Sequence, residues 1–85
     1  MAERLSQEYA LEIIRAAFEP FRCEAALDDA GTLVGFRVFN SLDETMFSCQ
    51  LDGKQFSSRD RLRSILSIAR ETVERQGVRL YAWSI

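Results

Sequence analysis

The apolar residues of this chain change their spacing three times along 85 residues. Ala10, Ile13, Ile14, Ala17 and Phe18 recur every three or four positions, the spacing of one helix side. Three short runs then alternate apolar with other residues, the spacing of a strand with one buried face. Leu62, Ile65, Leu66, Ala69 and Val73 return to helical spacing, and residues 78–85 alternate again. A chain that switches between these periods over so short a length folds as helices laid on a sheet.

The boundaries follow from local chemistry. Ser6 is a suitable N-cap for a first helix over residues 7–18, and Pro20 stops it because the residue before proline is pushed out of the helical region. Strands are expected over 22–28, 33–39 and 45–51. They are joined by an Asp28-to-Gly31 turn and the loop NSLDE, and Asp52-Gly53 closes the meander. The second helix should start near Ser57, with Asp60 three residues on as a capping-box partner, and end at Gly77. A fourth strand, 78–85, follows. The expectation is a single α+β domain over residues 1–85. It is a two-layer sandwich of order α-β-β-β-α-β, with a mainly antiparallel four-stranded sheet and both helices on one face.

That arrangement raises a difficulty with the second sheet face. With Val34, Phe36 and Val38 turned to the helices, Leu33, Arg37 and Phe39 point away. With Val78, Leu80 and Ala82 inward, Tyr81, Trp83 and Ile85 point away. A two-layer domain needs one polar sheet face, and an uncovered aromatic patch marks an interface. Phe39, Tyr81, Trp83 and Ile85 are therefore the candidate contact surface. A homodimer is the expected assembly, since a domain this small has a marginal core.

Composition removes most chemistries. There is no histidine, so no Ser-His-Asp or Cys-His pair, no histidine metal site and no imidazole switch. Cys23 and Cys49 are too few for a structural zinc site and too far apart for a redox CxxC. Both fall in the apolar phase of their strands. Strands 1 and 3 of a meander lie about 10 Å apart, so the two cysteines are expected to be buried, reduced and unpaired. No cofactor motif is present, and no catalytic constellation supports an enzyme. No apolar run approaches the roughly 18 residues of a membrane span, and the N-terminus lacks signal-peptide character. A soluble cytoplasmic protein is expected.

The charge is uneven. The chain carries a formal −2, yet residues 57–79 hold six arginines against Asp60, Glu71 and Glu74, a local balance of 6 − 3 = +3. In FSSRDRLRS, Arg59, Arg61 and Arg63 crowd a helix N-terminus, where positive charge is unfavourable. One reading is a solvated flank with Arg70–Glu74 and Glu71–Arg75 pairs, each contributing about 0.2–0.5 kcal/mol. The other is an anion, nucleotide or RNA site made of Ser57, Ser58, Arg59 and Arg63. The α-β-β-β-α order is similar to that of double-stranded-RNA-binding domains. The net negative charge and the absence of a lysine cluster argue against nucleic acid.

The run IIRAAFEPFRCEAALDDAGTL with SSRDRLRSILSIARE resembles a family of short pseudomonad proteins catalogued as a domain of unknown function. The shared pattern is an apolar helix entering Phe18-x-Pro20-x-x-Cys23, an Asp28-to-Gly31 turn and a serine-led second helix, over residues 10–71. Ala25 stands where that pattern often has a second cysteine. The resemblance implies a fold-sized unit and assigns no activity.

Overall fold

The computed structural model describes residues 4–83. Helix α1 spans Gln7–Ala16 and leads into strands β1 (Cys23–Leu27), β2 (Leu33–Phe39) and β3 (Thr45–Asp52). A single-turn helix α2 (Gly53–Phe56) and the long helix α3 (Arg59–Glu74) complete the α+β architecture. The strands form an antiparallel meander in the order β1-β2-β3.

Local signals account for these limits. The Ser6 hydroxyl accepts from Tyr9 N at 3.1 Å and fixes the start of α1. Pro20 follows a cis peptide just beyond its end. The β1–β2 turn is organised by Asp28, whose carboxylate accepts from Thr32 N at 2.8 Å and Leu33 N at 3.1 Å. These bonds, with the Leu33 amide foremost, hold the Asp28 carboxyl below its ordinary value of 3.8. Gly31 completes the turn at φ 71° and Gly77 ends the α3 region at φ 96°, both in the left-handed range that favours glycine.

The sheet has one apolar and one polar face. In register, Cys23, Ala25 and Leu27 lie beside Val38, Phe36 and Val34, which lie beside Phe47, Cys49 and Leu51. All of these turn toward the helices. Ile14 and Phe18 meet them from the α1 side, and Leu62, Leu66, Ala69 and Val73 from α3, in one core. Phe18 stacks on Phe36 at 5.6 Å, and Phe36 meets Phe47 at 5.9 Å, so an aromatic row crosses the sheet under the helices.

The reverse face carries the rows Glu24–Arg37–Ser48 and Ala26–Gly35–Gln50. These polar and small side chains, with Leu33 and Phe39 confined to the ends of β2, overturn the expectation of a sheet apolar on both sides. Phe39 departs from the expected exposure as well. The register shift between Val38 and Phe39 passes over Met46 of β3, so Phe39 keeps its place on the reverse face, beside Arg22. The Arg22 guanidinium lies 4.0 Å from the Phe39 ring centre, which leaves the side chain 9% exposed. Arg22 is held there by Glu24 at 2.9 Å and Asp43 at 3.1 Å.

The described part of the expected fourth strand, residues 78–83, forms no strand; Ile85 lies outside the described residues. The segment is held from its backbone by other means. Leu80 N donates to the Glu74 carboxylate at 3.2 Å, and Tyr81 N donates to Glu19 O at 2.8 Å. Arg70 donates to Tyr81 O at 2.7 Å and also to Ala17 O. Leu80 is buried and Trp83 packs on the same core. The tail is therefore a strap across one end of the sandwich. It lays Trp83, expected on the far sheet face, on the chain's own core and leaves Tyr81 exposed.

Candidate functional site

Helix α3 has two flanks on either side of its buried stripe, and the contacts identify what each meets. Arg59, Arg63 and Arg70 share one flank by helical spacing. Arg59 lies 5.9 Å from the Tyr9 ring of α1, and Arg70 reaches Ala17 at the end of α1. This flank faces α1. The Arg70 guanidinium also lies 5.6 Å from the Trp83 ring, so a single arginine joins the end of α1, the tail and α3. The expected Arg70–Glu74 pair is thus replaced by bonds to backbone: Arg70 serves carbonyls, and Glu74 serves an amide.

The candidate anion residues are each committed locally. The Ser57 hydroxyl donates to Gly53 O at 2.5 Å, and the Ser58 hydroxyl accepts from Arg61 N at 3.4 Å as the N-cap of α3. Arg63 pairs with Asp60 at 3.0 Å. Ser58, one residue later than expected, thus caps α3. The capping box belongs instead to α2, where Asp52 accepts from Gln55 N and the Gln55 side chain accepts from Asp52 N, both at 2.9 Å. Asp52-x-x-Gln55 was visible in the sequence as that signal.

The opposite flank of α3 carries Ile65, Ile68, Thr72 and Gln76. Gln76 Nε2 donates to Met46 O at 2.7 Å, so this flank faces β3. Here the core is incompletely closed. Met46, Phe47, Cys49 and Ile65 are half-buried, and Ile68 is 65% exposed.

The edge of β3 below that flank is open over a short stretch. In an antiparallel ladder, alternate residues turn both backbone groups toward the same neighbour. Asp28 N donates to Leu33 O and Phe39 N to Arg22 O, so the odd-numbered residues of β2 face β1. Val34, Phe36 and Val38 then face β3, where their partners are Leu51, Cys49 and Phe47. Met46, Ser48, Gln50 and Asp52 consequently turn their backbone away from the sheet. Met46 O is taken by Gln76 and Asp52 N by Gln55. Between them lie Ser48 and Gln50, both exposed. Among the described residues, their backbone groups receive only a thiol contact from Cys49 to Gln50 O at 3.8 Å. The β1 edge differs, since Arg15 crosses it and donates to Ala25 O at 2.8 Å.

The polar sheet face holds a shallow depression of about 740 Å³, floored by Gly35 and bordered by Glu24, Arg37, Ser48 and Gln50. It gathers no buried polar side chain. The cysteines are free and half-buried rather than fully buried. Burial pushes the Cys23 thiol from 9.0 up to about 12, with Arg15 opposing and Glu24 adding to the shift.

Of the candidate contact residues among the described ones, Tyr81 alone is well exposed, at 62%. Phe39 and Trp83 are covered by the chain itself, so the described members of that set do not form a patch on the sheet. Alternation alone could not reveal the α3–β3 side, because its residues become neighbours only through packing. Among the described residues, no helix is long and apolar enough to cross a membrane. Compared with protein-family models, curated proteins and solved structures, the chain matches none.

Proposed function

We propose that this is a non-enzymatic cytoplasmic domain that works through protein contacts, and that it self-associates through the α3–β3 side rather than through a sheet face. The observation that supports the reading is the coincidence of an open backbone stretch at Ser48 and Gln50 with the exposed Ile68 above it. An edge with unpaired N–H and C=O groups is a template for another strand. The half-buried side chains of Phe47 and Cys49 would gain cover from the same event. The likeness over residues 10–71 to the short pseudomonad proteins belongs to this proposal and adds no chemistry.

Light scattering over a concentration series tests it. The wild-type chain should reach twice its 9.8 kDa mass, Ile68→Asp should remain at 9.8 kDa, and Tyr81→Asp should still dimerise. Dissociation by Tyr81→Asp with no effect of Ile68→Asp would move the contact to the tail. The anion-site alternative has its own readout. Titration with inorganic phosphate across a salt series should leave the spectrum of Arg59 and Arg63 unchanged, and saturable, salt-sensitive binding lost in Arg63→Ala would favour that alternative.

A further inference from the structure

We infer that two copies join by antiparallel β3–β3 pairing about a two-fold axis that passes through Cys49, making one continuous six-stranded sheet. The inference rests on the self-association reading and adds its register. A two-fold axis between antiparallel strands lies at the centre of the paired stretch, and an isologous contact is self-complementary. The open stretch is bounded at Met46 by Gln76 and at Asp52 by Gln55, which leaves Ser48 and Gln50. The residue midway between them is Cys49. Ser48 of one copy then exchanges both backbone bonds with Gln50 of the other, and the reciprocal pair does the same. On the helical face, Phe47 meets the other copy's Leu51, so the aromatic row and the core continue across the junction.

Helix geometry agrees with that axis. Chain direction in α3 opposes β3, since α3 begins beside the α2 turn that follows Asp52 and Gln76 sits at Met46. Eight residues back from Gln76 at ~1.5 Å each is about 12 Å, which reaches Ile68. Three residues along β3 at ~3.4 Å each is about 10 Å, which reaches Cys49. The exposed Ile68 therefore sits nearly level with the axis and meets its own copy across it.

The axis makes Cys49 a reporter of register. Cys49 opposite Cys49 is a non-hydrogen-bonded pair, with Cα atoms about 4.5 Å apart, inside the span of roughly 4.4–6.8 Å that a disulfide requires. Diamide should close it: the two thiols lose two protons and two electrons, one S–S bond forms, and the azo group becomes a hydrazine. Cys23 does not compete, because it lies on β1, at the opposite edge of the sheet from the paired β3 strands, and burial raises its thiol further.

The test uses the full chain with single cysteines at 48, 49 or 50: Cys23→Ala alone, and Cys23→Ala/Cys49→Ser combined with Ser48→Cys or Gln50→Cys. Only the variant retaining Cys49 should double its mass on non-reducing gels within the time of native dimerisation. Peptide mapping of oxidised wild type should give a Cys49–Cys49 link, which guards against a variant that fails to fold. A light-scattering dimer that links through position 48 or 50, or through none, would overturn the register and leave self-association standing. A monomer at high micromolar concentration would overturn both.

Discussion

The two flanks of α3 differ in what closes them. On the α1 side, arginines are consumed inside the chain: Arg70 binds the carbonyls of Ala17 and Tyr81, and Arg59 lies over Tyr9. On the β3 side, isoleucines stand over a strand whose backbone is only partly occupied. Long charged side chains can close a gap by reaching for backbone acceptors, since a guanidinium offers five donors. A short apolar side chain such as Ile68 has no such reach, and its exposed surface is reduced only by another surface arriving. The difference teaches that the flank closed by Arg70 is the finished side of the helix and the flank bearing Ile68 is the open one.

The largest expected effect removes the support common to both flanks. Leu66 is fully buried in the stripe between them. Leu66→Ala should cost about 2–5 kcal/mol in urea unfolding, lowering the stability of the chain and its association together. Arg70→Met breaks the finished flank alone. It removes charge-assisted bonds to two carbonyls, each in the range of about 1.5–3 kcal/mol before allowance for exposure. The loss should appear as faster hydrogen exchange at the Tyr81 amide, whose acceptor Glu19 O then sits beside an unanchored tail. Dimer mass should persist in this variant. Ser58→Ala removes the α3 N-cap and should cost about 1 kcal/mol, read by thermal unfolding, with no preference between flanks.

The smallest effect is a matter of pH at the far turn. Asp28 has a lowered carboxyl value through bonds that its ionised form accepts more strongly than its neutral form. A carboxylate whose native value is depressed contributes stability above the unfolded value and loses it as pH falls through the native one. Stability should therefore decline below about pH 3.8, and Asp28→Asn should flatten that part of the profile. Self-association should survive the substitution, because the turn joins β1 to β2 and takes no part in the outer edge of β3.

Much of the architecture was legible because it is written in short-range signals. Ser6, Pro20, Gly31 and Gly77 each act on the backbone within a few residues, and β2 occupies the expected 33–39. The failures share a cause. Residues 78–83 alternate like a strand, yet alternation describes side chains, and the backbone of Leu80 and Tyr81 found Glu74 and Glu19 instead of a β neighbour. Phe39 kept its phase but is covered by the Arg22 guanidinium on its own face, a contact that alternation does not record. The open side depends on where Gln76 and Gln55 happen to reach, and sequence spacing carries no record of that.

Amide hydrogen exchange at Ser48 and Gln50, followed against protein concentration, tests the open edge most directly. Pairing of two β3 strands predicts that these two amides slow as concentration rises, while the Leu33 amide, held by Asp28, stays constant. Free-amide rates for Ser48 and Gln50 at every concentration would contradict it.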